Sequence, residues 1–220
     1  RVEGHETPLA HKYRGAGDKP EYLTVASFGS MCNIPDYAAI SHFYVITSDY
    51  AVDFLEIGNI CAFLMELWER GIVTAQDMHE WTGEPITMEW GNVDAVDKVM
   101  ESIVFQRNRL GEIFRGGAFQ GGSILEQMKG VPVLKYCVYG KGGSVINEEL
   151  RPFGTWMTNM AVSSRGCDHL KAVTLVDKMG RTDISEALLG RPEAGHRFVP
   201  DLKGGLSAIT EHITCVYNCL

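Results

Sequence analysis

Residues 50–71 restrict the fold of this chain more than any other stretch. Apolar side chains return there every three or four residues, which is the period of an α-helix, and Gly71 follows as a helix stop. Three polar residues interrupt the apolar pattern: Asp53, Glu56 and Asn59. A buried carboxylate costs several kcal/mol unless a partner compensates it. This polar edge therefore either meets solvent, as a helix cap does, or contacts a polar ligand.

The remaining patterns predict a mainly α, multihelical fold with a few short extended segments. Asp36, Thr74 and Asn92 are good N-caps, and Ser48 is an N-cap candidate for the helix at 50–71. The predicted helices are 36–47, 50–71, 74–81, 93–109 with one further turn to 114, 155–164 and 201–220, the last with an apolar stripe of Leu206, Ile209, Ile213 and Val216.

Between these helices the sequence predicts non-helical structure. The predicted extended segments are 21–30 and 131–139, the glycine pairs at 116–117 and 121–122 are interpreted as turns, and 177–200 as a surface excursion. We predict two domains, a first helical domain over 1–130 and the start of a second over 131–220.

Composition excludes several classes of protein. The chain has 220 residues, 45 % of them hydrophobic, which suffices for one or two domains with a real core. Its net charge of -8 argues against nucleic acid or an anionic membrane as a partner. No apolar run is long enough to span a bilayer, and no signal peptide opens the chain. Six scattered cysteines form no disulfide framework, so we expect a reducing, cytoplasmic setting.

Two clusters carry chemistry that the helical pattern does not require. Residues 165–171 bring together an arginine, a thiol, an acid, an imidazole and an amine, a density that fits a functional site or a solvated turn. Cys215 and Cys219, four residues apart, place two thiolates on one helical face or two small side chains in a core.

Several segments, taken in order, resemble one known family. They are GDKPEYLTVASFGSMCNIPDYAAI at 17–40, DYAVDFLEIGNICAFLMELWERGIVT at 49–74, MEWGNVDAVDKVMESI with LGEIFRGG at 88–117, and LRPFGTWMTNMAVSSRGCDHLKA at 150–172. Their order and spacing resemble the aldehyde ferredoxin oxidoreductase family of tungsten- or molybdenum-pterin enzymes. The resemblance implies an oxidoreductase that converts aldehydes to carboxylic acids.

The resemblance also implies site residues. The family's metallopterin pattern Asp-x-x-Gly-Leu-Asp falls on 48–53, where the last aspartate, Asp53, is kept and Val52 stands beside it. The matching arginine and the residue two past the histidine point to Arg165 and Lys171 as further contacts of a tungsten- or molybdenum-bis-pterin. The resemblance places His169 and Glu21 beside the metal, where they are expected to be catalytic.

The end of the chain resembles the family's second pterin pattern, Asp-x-x-Gly-Leu-Cys. In one register the pattern begins at Asn218, a pterin contact, and its cysteine lies beyond Leu220. In the other register Cys219 is that cysteine, a ligand of a 4Fe-4S cluster. Electrons would leave through the cluster to ferredoxin or another electron-transfer subunit. The family's Glu-x-x-His iron site is not matched, because Ala39 stands three residues before His42.

Parts of the family pattern are missing from these 220 residues. The N-terminal β-rich pterin domain and the Cys-x-x-Cys-x-x-x-Cys motif are not present, so we expect a fragment that does not hold a metallopterin stably alone. A homo- or hetero-oligomer is the expected assembly. A helical scaffold or interaction fragment without cofactor is the alternative function, and an aromatic thioester is an alternative substrate. An unrelated helical protein that binds a small ligand is a third hypothesis.

Overall fold

In the computed structural model the chain forms two compact units, Arg1–Asn147 and Glu148–Leu220. The structure describes residues 19–147, 150–164, 166, 170 and 175–217. Those residues contain helices and no strand, which confirms a mainly α, multihelical fold. The domain boundary after residue 130 stays a prediction.

The first unit contains seven α-helices within its described residues. They are α1 (Tyr22–Thr24), which continues as a π-helix (Val25–Ser30), α2 (Tyr37–Asp49), α3 (Phe54–Glu69), α4 (Ala75–Thr82), α5 (Val93–Phe105), α6 (Arg109–Phe114) and α7 (Gly117–Lys129), followed by a 3₁₀ turn (Leu134–Tyr136).

Helix α3 is the centre of this unit. It contacts α1, the π-helix, α2, α5, α7 and the 3₁₀ turn. Every side chain from Ile57 to Met65 is buried, so the helix is enclosed on all sides rather than along one stripe. The predicted stop is confirmed: Gly71 has a φ of +66°, and the Ile72 N–H donates to the Leu67 carbonyl in a Schellman motif.

The predicted start of this helix is wrong. Ser48 belongs to α2, where its hydroxyl donates to the Tyr44 carbonyl at 2.7 Å, and it caps nothing. Ala51, at a φ of +53°, separates α2 from α3. Helix α3 therefore begins at Phe54 with Asp53 as its N-cap.

The other predicted caps are confirmed. Asp36 accepts hydrogen bonds from the Ala38 and Ala39 N–H groups at the start of α2, and Asn92 caps α5. Thr74 and Asp77 form a complete capping box at the start of α4.

The extended segments predicted at 21–30 and 131–139 are wrong. The first is α1 and the π-helix, and the second holds a 3₁₀ turn. Burial explains the first difference, because Ala26, Ser27 and Phe28 all pack into the core. Gly58 of α3 permits this approach: a Cβ added there would lie 2.7 Å from the Ser27 Cβ.

The helix predicted at 93–114 is two helices. Gln106 has a φ of +51°, and Asn108 then caps α6 by accepting from the Gly111 N–H at 3.0 Å. The glycine pair at 121–122 is also misassigned as a turn, because it lies inside α7. A Cβ at Gly122 would lie 2.6 Å from the Leu134 side chain, so the glycine allows close packing.

The second unit contains three α-helices in the part that the structure describes. They are α8 (Gly154–Val162), α9 (Thr182–Leu189) and α10 (Lys203–Tyr217), with a 3₁₀ turn (Pro192–Gly195) before α10. Within the described residues, the predicted helices at 155–164 and 201–220 are found as α8 and α10. The surface excursion predicted at 177–200 is wrong, because α9 packs against the 3₁₀ turn and buries Ser185 and Ala194.

The apolar stripe predicted on α10 is only partly correct. Leu206 is fully buried, but Ile213 and Val216 are 41 % and 78 % exposed. The buried face instead runs through Lys203, Leu206, Ser207, Thr210 and Thr214, which α8 and α9 contact. None of the described helices is long and apolar enough to cross a membrane.

Candidate functional site

The start of α3 holds the two predicted pterin residues that the structure describes. The Asp53 backbone is extended, and its Oδ1 accepts a hydrogen bond from the Leu55 N–H at 2.8 Å. Asp53 is exposed and Val52 half-buried, with the Val52 N–H donating to the Thr47 carbonyl at 3.0 Å. The cap interpretation of Asp53 is therefore correct, and its carboxylate remains accessible to a ligand.

Glu21 lies at the equivalent position of a neighbouring helix. It precedes α1, is exposed, and its carbonyl accepts the Val25 N–H at 3.1 Å. Its side chain makes no capping hydrogen bond. Because α1 contacts α3, Glu21 and Asp53 each precede the first turn of two packed helices. Both residues are exposed to solvent.

Glu56 and Asn59 make contacts that differ from both alternatives predicted from the sequence, solvent and a polar ligand. The Glu56 carboxylate accepts the Ala118 N–H at 2.5 Å, the Ser144 N–H at 3.1 Å and the Ser144 hydroxyl. Asn59 is buried and donates to the Val138 carbonyl at 2.6 Å and to Ser144 Oγ at 3.2 Å. These side chains therefore bind another part of the same chain, rather than solvent or a ligand.

The three buried cysteines do not fit a metal or an iron–sulfur cluster. Burial raises the pKa of Cys32 and Cys137 to about 12, and burial also raises the pKa of Cys61. Thiols with such pKa values stay protonated at neutral pH, whereas metal ligands are thiolates. Across the described ranges no group of three or more His, Cys, Asp or Glu side chains is placed to hold a metal ion.

Asp53, by contrast, fits the organic part of a metallopterin. An exposed carboxylate accepts N–H donors such as those of a pterin ring, and one of its oxygens already accepts a backbone N–H. The remaining predicted site residues lie outside the described residues; they are Arg165, His169, Lys171, Asn218 and Cys219.

Sequence reasoning missed a cleft between α2 and α5. His42 Nε2 lies 3.3 Å from Asp97 Oδ1, and both line a cavity of about 260 Å³. Ile46, Met100 and Val104 form part of its apolar wall. The two polar residues are 55 positions apart on different helices, so no spacing in the sequence pairs them.

A second cavity of about 360 Å³ lies beside the π-helix. Its lining includes Val25, Gly29, Ile34, Tyr37 and Ile40. Val25 is one helical turn after Glu21, which places this cavity near a predicted catalytic residue. The sequence predicts an extended segment at 21–30, and that prediction gives no indication of a cavity beside a helix.

Comparison with known proteins identifies the family. The family model for aldehyde ferredoxin oxidoreductase, domains 2 & 3, matches residues 2–220. The chain belongs to the aldehyde ferredoxin oxidoreductase family, and the match covers its second and third domains.

The individual relatives have low sequence identity to this chain. The chain is 28 % identical over 178 residues to the WOR-like subunit of an aliphatic sulfonate oxidoreductase from Pyrococcus furiosus, which covers 80 % of this chain and 27 % of the relative. It is 26 % identical over 106 residues to tungsten-containing aldehyde ferredoxin oxidoreductases from Thermococcus kodakarensis and Pyrococcus horikoshii, covering 48 % of this chain and 17 % of each relative. The chain therefore spans less than a third of the length of these relatives.

Proposed function

We propose that this chain forms the helical part of a tungsten- or molybdenum-pterin oxidoreductase that oxidises aldehydes to carboxylic acids. The observation that carries the proposal is the exposed carboxylate of Asp53, which stands where the family pattern expects a pterin contact, inside a family match over residues 2–220. Asp53 caps α3, a helix whose residues 57–65 are all buried, and such a rigid element favours precise placement of a ligand.

Binding of the pterin is divided between an acceptor and two donors. The Asp53 carboxylate accepts N–H groups of the ring, and Val52 supplies apolar contact beside it. Arg165 and Lys171 donate to the phosphates and ring oxygens, for which their cationic groups are suited. When it is bound, the dithiolene-held metal supplies the two-electron redox chemistry.

Proton transfer falls to Glu21 and His169. Oxidation of an aldehyde to a carboxylic acid consumes one water and releases two electrons and two protons. An imidazole with an ordinary pKa near neutrality can accept such a proton, and an exposed carboxylate can pass it to solvent.

A 4Fe-4S cluster, if bound, would carry the electrons to ferredoxin or another electron-transfer subunit. Asn218 and Cys219 contribute to the second pterin contact and the cluster, in one or other of the two registers. A β-rich domain would supply further pterin contacts, and a Cys-x-x-Cys-x-x-x-Cys motif would supply the other cluster ligands. This division supports a chain that works as one part of a larger polypeptide or complex.

An aliphatic sulfonate is the second candidate substrate. The relative named as a WOR-like subunit of an aliphatic sulfonate oxidoreductase aligns over 178 residues, against 106 for the tungsten-containing aldehyde enzymes. A longer alignment at similar identity favours that relative as a guide to the helical domains.

The test begins with protein expressed from its complete reading frame. Metal analysis, pterin assay and a visible spectrum come first; tungsten or molybdenum with pterin, iron and a broad brown absorbance support the proposal. Kinetics with aldehydes and aliphatic sulfonates, with ferredoxin or a viologen dye as electron acceptor, then distinguish the two substrates. Colourless protein without these metals contradicts the proposal and leaves the scaffold alternative.

A further inference from the structure

Glu56 departs from the role that its helical position normally has. It is the third helical residue after the N-cap Asp53, a position from which a glutamate usually bonds back to the N-cap N–H group. Its Oε1 instead accepts from Ala118 N–H at 2.5 Å, and its Oε2 accepts from Ser144 N–H at 3.1 Å and from the Ser144 hydroxyl. The first turn of α3 is thereby bonded to two segments distant in sequence.

The start of α7 is shaped to receive this carboxylate. Gly117 has a φ of +88°, and a Cβ added there would lie 2.6 Å from Glu56 Oε1. Only glycine therefore leaves room for the contact. The N-terminus of a helix also carries partial positive charge, which favours a carboxylate at Ala118.

Residues 138–147, here called the pinned loop, are held on both sides. Asn59, one turn after Glu56, donates to the Val138 carbonyl at 2.6 Å and to Ser144 Oγ at 3.2 Å. At the other end Asn147 Nδ2 donates to Ser27 Oγ at 2.6 Å. The loop, the π-helix and the start of α3 consequently form one bonded assembly.

We propose that Glu56 is a positioning residue for the cofactor, fixing the first turn of α3 so that the Asp53 carboxylate is in place before a pterin binds. This inference rests on the proposed function. Asp53 is exposed and lies two residues after Ala51, which has a left-handed backbone. The direction of the Asp53 carboxylate therefore depends on the position of the first turn of α3. Groups that orient a ligand-binding side chain act through such supporting contacts.

The principal test is E56Q in protein expressed from its complete reading frame. Glutamine has the same shape but keeps only one of the two acceptor oxygens and no charge. We expect tungsten or molybdenum and pterin per chain to fall about tenfold, and amide exchange at Ala118 and Ser144 to accelerate. The matched control is E66Q, also on α3, which removes only a surface pair with Arg70 and should leave both readouts unchanged.

Two further variants separate positioning from loss of stability. S144A removes the hydroxyl that donates to Glu56 and accepts from Asn59 but keeps the Ser144 N–H that donates to Glu56, so it should give a smaller loss of cofactor in the same direction. V99A, in the core on α5, should lower the thermal midpoint without loss of cofactor.

The possible outcomes are distinct. Wild-type cofactor content in E56Q, unchanged exchange at Ala118 and Ser144, or an equal cofactor loss in V99A at matched midpoint would each overturn the positioning role. Wild-type protein without tungsten, molybdenum or pterin would instead overturn the proposed function, and this inference with it, before any variant is made.

Discussion

The ammonium group of Lys203 lies 3.1 Å from Asp177 Oδ2 with both side chains almost fully buried, 4 % and 0 % exposed. Lys203 also donates to the Ala194 and His196 carbonyls at 2.8 and 2.7 Å. Asp177 Oδ2 accepts the Thr155 N–H at 2.9 Å, at the start of α8. One ion pair thus connects α8, α10 and the turn before α10 inside the second unit.

Breaking this pair from one side should be strongly destabilising. We expect K203M or D177N to lower the free energy of unfolding by about 3–5 kcal/mol, because each leaves the other group buried without its partner. The double variant should cost clearly less than the sum of the two single variants. Urea unfolding of all four proteins measures the coupling, and strictly additive losses would show that the pair does not interact as described.

Substitutions at Asp53 should separate its two roles. D53A removes the cap of α3 and should lower the free energy of unfolding by about 1 kcal/mol. D53S keeps a capping oxygen, so its stability should stay near wild type, but it lacks the carboxylate proposed to accept pterin N–H groups. Denaturant midpoints and pterin content measure the two effects. D49S, on exposed Asp49 at the end of α2, is the control. If D53S retains the cofactor as well as D49S does, Asp53 is not a pterin contact.

Gly58 should not tolerate a methyl group. In G58A the new Cβ would lie 2.7 Å from the Ser27 Cβ and 3.2 Å from the Ser27 backbone, so the π-helix must shift away from α3. We expect a loss of about 1–3 kcal/mol, typical of an overpacked core. The control is G204A in α10, where nothing lies within 4 Å and alanine should stabilise by about 0.5 kcal/mol. Urea midpoints compare them, and equal effects would contradict the packing argument.

Acid should remove the contribution of Asp77 to the free energy of unfolding. Burial raises the pKa of this carboxyl, but hydrogen bonds from Lys129 and Thr74 outweigh it and hold the pKa below the usual 3.8. The carboxyl of Asp77 therefore binds a proton less readily in the folded state than in the unfolded state. Its contribution to the free energy of unfolding is complete above its pKa in the unfolded state and is lost as the pH falls through its pKa in the folded state.

The corresponding experiment measures the unfolding free energy of wild type and of D77N across this pH range. The difference in unfolding free energy should be constant from about pH 7 to 5 and shrink below about pH 4. K129M, which removes the ammonium 2.5 Å from Asp77 Oδ1, should weaken the same pH dependence. A difference that stays constant down to about pH 2 would rule out the ionised pair as its source.

The described cysteines should differ in reactivity. Cys32, Cys61 and Cys137 are buried with raised pKa values, whereas Cys215 is exposed. Because the thiolate is the nucleophile, alkylation at neutral pH should modify Cys215 first and the other three only on unfolding. Mass-spectrometric mapping of the labelled peptides measures this order. Rapid labelling of Cys61 in folded protein would contradict its position in the core.

Local signals in the sequence determined much of the helical framework. Asp36, Thr74 and Asn92 identified helix starts because a cap depends on only a few neighbouring residues. Gly71 identified the end of α3 for the same reason, since a left-handed residue is needed there. The apolar spacing of α3 predicted its existence. The order and spacing of four segments predicted, by resemblance, the family that comparison then identified.

Only the tertiary structure decided what the polar residues of α3 bind. Glu56 and Asn59 lie on a helix that is enclosed on every side, so their partners had to come from elsewhere in the chain. Those partners, Ala118 and Ser144, are 62 and 88 positions from Glu56. Residues 21–30 are likewise helical because this segment packs against Gly58, and this packing outweighs the local preference for extended structure. A sequence records periodicity and caps locally, whereas contacts across such distances exist only once the chain has folded.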